Sequence, residues 1–113
     1  MEKLNQCGLK DKFCVCITTV DDPEKAADIA KHLLEKRLVA CAQIFPHKSF
    51  YWWEEQICEA AEFQIMSKTQ TIHCDEISKT ICDIHPYQVP EIIFVPVESG
   101  LNQYVNWIKE NTS

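Results

Sequence analysis

Between Val39 and Thr69 the chain reads as two strands, Val39 to Glu54 and Ile57 to Thr69, joined by a turn near Glu54, Glu55 and Gln56. At about 3.3 Å per residue the first strand extends roughly 50 Å, whereas a compact chain of this length has a radius of gyration of roughly 13 Å. Such a hairpin overhangs its own domain. Its tip carries Phe50, Tyr51, Trp52 and Trp53, which side-chain alternation divides between both faces of the ribbon. One domain of this size cannot bury all four. The pattern implies that partners cover the hairpin and that the chain is an oligomer.

The flanking segments say what kind of domain carries the hairpin. Phe13 to Val20 alternates Phe13, Val15 and Ile17 with Cys14, Cys16 and Thr18 and is rich in β-formers, which predicts a strand. Asp21-Asp22-Pro23 supplies an N-cap with proline at the first helical position, and Ala26, Ile29, Ala30, Leu33 and Leu34 follow helical spacing to about Lys36. His32 falls among Lys31, Glu35 and Lys36 and is read as a surface histidine. Pro46 and His47 interrupt the first hairpin strand, which implies a bulge or an edge position, because proline cannot donate to a ladder.

After the hairpin, Cys74, Ile77, Ile81 and Ile84 recur at three and four residues, a second amphipathic helix from His73 that stops at His85-Pro86. Glu91 to Val97 is apolar on both faces and reads as a short buried strand. Leu101, Tyr104, Val105 and Ile108 then space a terminal helix. The order β-α-β, β-α-β plus a helix is the split βαβ pattern: an α+β, ferredoxin-like βαββαβ sandwich with a long hairpin and a short C-terminal helix. Residues 1–12 are expected to be a flexible lead-in and residues 13–113 a single domain.

A length of 113 residues suits one core, and a net charge of −6 with no basic stripe argues against nucleic acid and anionic membrane as partners. No stretch approaches a membrane span, and the polar amino terminus lacks a signal-peptide run, so a cytoplasmic protein without membrane insertion is expected. The seven cysteines are scattered, odd in number and without a C-x-x-C pair. In a reducing compartment they read as free thiols acting as small apolar residues. Only two glycines are present, so no phosphate-cradling glycine loop exists.

Several runs resemble the CutA divalent-cation tolerance family over nearly the whole chain from Phe13 to Ile108. They are Thr19 before the first helix, Glu35-Lys36-Arg37-Leu38-Val39-Ala40-Cys41-Ala42, Ser49 with Tyr51, Trp53 and Glu54, and Lys68-Thr69. His85-Pro86-Tyr87-Gln88-Val89-Pro90-Glu91-Ile92 is the most specific, and Pro96-Val97 with Tyr104 and Trp107 completes the set. The resemblance implies a ferredoxin-like fold assembled as a homotrimer, with hairpins reaching between subunits as in the PII signalling proteins. It also implies a role in tolerance of copper and other divalent cations, and animal relatives are tied to membrane anchoring of acetylcholinesterase.

Two departures from the family stand out. Glu55 occupies a turn position where relatives commonly carry glycine, and glutamate dislikes the positive φ of the tightest hairpin turns, so a wider or different turn is expected. Some relatives place a cysteine at the end of the first strand and a second histidine before His-Pro-Tyr. Here those positions are Thr18 and Ile84, leaving His85 with Cys16 as the residual metal set for copper or another divalent cation.

His85 is read either as a metal ligand or a polar group in an intersubunit cleft, or as a helix-terminating residue bonded to backbone; one imidazole makes no site by itself, which favours the last. Cys14 with Cys16 is read as a soft-cation pair or, preferably, as packing. Lys68 is a fixed charge for an anionic ligand or a snorkelling lysine. Tyr87 and Glu91 join His85 and Lys68 as the candidate ligand-binding cleft. Tyr51, Trp52, Trp53, Tyr104 and Trp107 are the expected trimer-interface anchors.

These residues support a trimeric, CutA-like protein that binds metal or a small anion, with a trimeric scaffold lacking ligand chemistry as the alternative. No catalytic constellation is present; the one enzymatic alternative pairs His85 with Cys16 or Cys82 as nucleophile. The sequence names no other protein partner.

Overall fold

The computed structural model describes residues 4–113. The elements run β1 (Asn5–Cys7), β2 (Phe13–Val20), α1 (Pro23–Glu35), β3 (Cys41–Trp53), β4 (Gln56–Gln70), a 3-10 turn (Thr71–His73), α2 (Cys74–Ile84), β5 (Ile92–Pro96), β6 (Ser99–Leu101) and α3 (Asn102–Asn111). The main sheet has four antiparallel strands in the order β3-β4-β2-β5. Each helical crossover therefore skips one strand, which is the ferredoxin-like topology expected from the element order.

Local chemistry explains the elements. Asp22 caps α1, its carboxylate accepting from the backbone N–H of Glu24 at 2.8 Å and of Lys25 at 3.2 Å, with Pro23 at the first turn. The even-numbered residues of β2 face the helices. Cys16 and Val20 join Ala26, Ile29, Leu33, Ile65, Ile77 and Ile81 in the principal core between sheet and helices. A second cluster of Leu9, Phe13, Ala40, Val105 and Ile108 holds α3 near the start of β2.

The opposite sheet face is open in the single chain. Val15 and Ile17 lie between β4 and β5 there, with Val95 and Ile93 directly across on β5. Ile93 is 49% and Val95 45% exposed. The expectation that Glu91 to Val97 forms a short buried strand is therefore corrected for the single chain: β5 (Ile92–Pro96) is an edge strand, and only Ile92 and Phe94 are turned to the core side.

The hairpin leaves the sheet as its length requires. β2 accompanies β4 only as far as the Val20–Phe63 pair, so among the described residues the hairpin from His47 and Glu62 outward pairs with itself alone. The molecule measures 56 × 26 × 22 Å, with a radius of gyration of 15.3 Å. Pro46 pairs in unbroken register with Phe63, so of bulge and edge the edge position is the one realised: β3 is the outer strand, where a missing N–H costs no ladder bond.

The turn differs from the expected wider form. Trp53 pairs with Gln56, leaving the two-residue loop Glu54-Glu55 with φ of 50° and 64°. Positive φ at both positions is the type I′ arrangement that matches strand twist, and two glutamates occupy it against their preference. Strand pairing on either side outweighs the local strain. The double change Glu54→Asn, Glu55→Gly is expected to raise unfolding free energy by about 1 kcal/mol; a denaturant midpoint unchanged or lowered would contradict this.

Part of the lead-in carries backbone pairing. Asn5–Cys7 pairs antiparallel with β6, and Leu9 is buried, its N–H donating to Glu98 O at 3.0 Å. Those bonds and Leu9's place beside Phe13 tie the segment to the domain. The rest of the flexible-segment expectation, residues 1–3, lies outside the described residues.

Candidate functional site

Where β2 ends and the hairpin departs, a cleft of about 570 Å³ is lined by Thr19, Glu62, Tyr87 and Glu91 together with the aromatic wall Phe50 to Trp53. Its floor is fixed by His85, the residue that stops α2. The His85 ring Nε2 lies 2.8 Å from Thr19 O, and the Tyr87 backbone N–H donates to Nδ1 at 3.0 Å. A carbonyl oxygen can only accept, so Nε2 carries the hydrogen and Nδ1 is the acceptor. Both ring nitrogens are occupied. Of the two readings of His85, the structure realises the backbone-bonded one.

This anchoring turns the chain after α2 so that Tyr87 reaches the sheet. The Tyr87 hydroxyl donates to Glu62 Oε2 at 2.5 Å, and the His85 and Tyr87 rings meet edge-on at 4.7 Å between centroids. Glu62 is only 4% exposed, an unusual position for a carboxylate, and the phenol is its hydrogen-bond partner. Burial first, then the bond to Glu62 and its charge, push the Tyr87 hydroxyl well above the ordinary phenol range, so it stays a donor at neutral pH.

Two further polar atoms stand beside Glu62. Thr19 Oγ1 and His47 Nδ1 are buried without a hydrogen-bond partner among the described residues, and His47 is directly across from Glu62 in the strand register. His47 Nε2 is 2.9 Å from Ser49 Oγ. Sequence reasoning missed Glu62 and His47. Only the β3–β4 register, invisible without knowing the turn length, sets them opposite each other.

The sequence-predicted cleft residues are brought together in part. His85 holds Tyr87, and Tyr87 and Glu91 both line the cleft. Lys68 does not join them: it lies six residues along β4 from Glu62, about 20 Å at strand spacing. Its Nζ donates to Gln43 Oε1 at 2.5 Å. The residual metal pair is likewise separated. Cys16 is 1% exposed and faces the core, while the His85 nitrogens are already bonded, so these two residues do not fit a shared metal ion. Among the described residues no group of three or more His, Cys, Asp or Glu is placed to hold a metal. The same bonds leave His85 without a free nitrogen to activate Cys16 or Cys82.

Burial, then the neighbouring Cys14 and Cys74, push the Cys16 thiol up to about 12 from an ordinary 9.0. A raised value means that the folded chain holds this proton more tightly than the unfolded one. Its stabilising contribution is complete below about pH 9 and is lost as pH climbs towards 12. Tyr87 acts in the same direction above the ordinary phenol value of 10.0. Denaturant midpoints measured under reducing conditions are therefore expected to be level from pH 7 to about 9 and to fall beyond it. A midpoint rising through that alkaline range would contradict the assignment.

The expected interface aromatics are all substantially exposed in the single chain. Tyr51 and Trp53 share the open sheet face with Ser49, Trp52 projects from the other side, and Tyr104 stacks on Trp107 with centroids 5.5 Å apart.

A family model described as CutA1 divalent ion tolerance protein matches residues 14–111 of the chain. The divalent-cation tolerance protein CutA of Archaeoglobus fulgidus is 44% identical over 92 residues, 81% of this chain and 90% of that protein. The protein so described from Pyrococcus horikoshii is 39% identical over 98 residues, 87% of this chain and 96% of that one. Among solved structures, the periplasmic divalent cation tolerance protein CutA from Archaeoglobus fulgidus superposes with a TM-score of 0.88 at 40% identity, covering 89% of this chain and 99% of that one.

Proposed function

The chain belongs to the CutA1 divalent ion tolerance family, and on that premise we propose that it is a homotrimer whose intersubunit clefts take up a divalent cation as cargo, copper among the candidates. The observation that carries this reading is the acidic cleft. Glu62 and Glu91 contribute carboxylates to its lining, and Thr19, on the same lining, has its Oγ1 buried without a partner among the described residues. Oxygen donors of this kind suit hard and borderline divalent cations. They count against the anionic ligand, because Lys68 is too far along β4 to neutralise it within one subunit.

The trimer rests on exposed apolar surface. Ile93 and Val95 on the open face, with the exposed aromatics of the overhanging hairpin, form the kind of apolar surface that marks an interaction site. A neighbouring copy laid on that face covers β5 and brings further donors to the cleft. The aromatic hairpin also favours the second reading, a trimeric scaffold that presents its surface to another protein. A cytoplasmic setting fits the free thiols, and among the described residues no helix is long and apolar enough to cross a membrane.

Thermal shift and calorimetric titration with Cu, Zn, Cd and Mn salts test the cargo reading. Saturable stabilisation is expected, about 2.7 kcal/mol at one hundred times Kd. Glu62→Gln with Glu91→Gln should abolish it. No shift with any of the four metals, in a protein that remains trimeric, would discard cation binding and leave the scaffold.

A further inference from the structure

Away from the cleft, at the other end of β2, two cysteines far apart in sequence meet. Cys14 Sγ and Cys74 Sγ are 3.4 Å apart. Cys14 lies on β2 and is buried; Cys74 opens α2 and is half-buried. Their approach is held by backbone. Cys14 is paired in register with Thr69, Phe13 with Gln70, and Thr71 N–H donates to Lys12 O at 2.9 Å. Only the short 3-10 turn Thr71–His73 separates that anchored strand end from Cys74. A disulfide needs the sulfurs at about 2.05 Å, so closure asks for about 1.4 Å of approach at a helix terminus, where the first turn has backbone N–H groups free to adjust.

We propose that Cys14 and Cys74 are a peroxide-oxidised thiol pair that closes to an internal disulfide between β2 and α2. Cys74, the more exposed, reacts first: its sulfur attacks hydrogen peroxide, the O–O bond breaks, and Cys74 sulfenic acid and one water form. Cys14 sulfur then attacks Cys74 Sγ, the S–O bond breaks, its thiol proton leaves with the hydroxyl as a second water, and the S–S bond forms. Two thiols and one peroxide give one disulfide and two waters, and a dithiol reductant reverses the change. Burial and the adjacent Cys14 push the Cys74 thiol up to about 12, so little thiolate is present at neutral pH. Closure is accordingly slow and answers sustained peroxide rather than a brief pulse. Cys16, almost completely buried beside the pair, stays a thiol.

The test treats reduced wild-type protein with hydrogen peroxide, alkylates remaining thiols under denaturing conditions and maps the peptides by mass spectrometry. Of the seven cysteines five are expected to be alkylated, with Cys14 and Cys74 in one cross-linked peptide that dithiothreitol releases. The cross-linked protein should melt at a higher temperature than the reduced one. In Cys14→Ser the Cys74 sulfenic acid should persist and be trapped by dimedone. Cross-links through the exposed Cys7 or Cys82 instead, or Cys74 oxidised to sulfinic acid while Cys14 remains a free thiol, would overturn the proposal.

Discussion

Val95→Asp is expected to convert the proposed trimer into soluble, folded monomers. In the single chain Val95 is 45% exposed, at the β5 edge and across from Val15, so aspartate there meets water and costs the monomer little. In the proposed assembly the same position is covered by a neighbouring copy, and every interface receives an unpaired carboxylate. Burying such a charge costs several kcal/mol after relaxation, and about 4 kcal/mol corresponds to a thousandfold weaker association. Size-exclusion and sedimentation profiles should therefore shift to the monomer at micromolar concentration while circular dichroism keeps the native shape. A Val95→Asp protein that still sediments as the wild type would place the open sheet face outside the interface.

Tyr87→Phe is expected to cost about 1.5–3 kcal/mol, the range for losing a hydrogen bond to a buried charge. The ring remains, so its edge-on contact with His85 survives, and what disappears is the hydroxyl that donates to Glu62. Glu62 is then nine-tenths or more buried with no phenol to hold it. Glu62→Gln, which keeps an acceptor and removes the charge, should cost less. The double substitution Tyr87→Phe with Glu62→Gln should cost less than the sum of the two, because the groups act on each other. Denaturant titrations at one fixed chain concentration read all three, since stability and assembly are linked. A Tyr87→Phe protein within about 0.5 kcal/mol of wild type, the range of ordinary surface changes, would mean that the bond carries no weight.

Strong local signals made much of the fold legible. Period-two alternation placed β2 at Phe13–Val20, Asp22-Pro23 announced α1, and His85-Pro86 ended α2 where the structure ends it. The hairpin was legible because its length conflicts with the size of a compact chain of 113 residues. Three-residue strands are a different matter: Asn5–Cys7 and Ser99–Leu101 are too short and polar to show a period, and they exist because they pair with each other. Nor does a run such as Ile92 to Val95, apolar on both faces, reveal whether a neighbouring strand or a neighbouring copy covers it.

The site was half legible. His85, Tyr87 and Glu91 sit in one short run whose chemistry is visible in one dimension. Their partner Glu62 lies across the sheet, and nothing in its spacing distinguishes it from the exposed Glu59 until the register is known. The sequence offers Lys68 to the cleft as a fixed charge at the base of the hairpin; strand geometry keeps it about 20 Å from Glu62. The Cys14–Cys74 contact depends on the tertiary closure of α2 onto β2. Glu54-Glu55 shows pairing of the flanking strands overriding local turn preference, so that glutamates adopt a conformation usually left to asparagine and glycine.

The central claim, that the overhanging hairpin and the open sheet face exist to be covered by other copies of this chain, is tested most directly by sedimentation equilibrium of the wild-type protein at micromolar concentration. The account predicts a single species of three chains, without detectable monomer across that range. A stable monomer under the same conditions would contradict it.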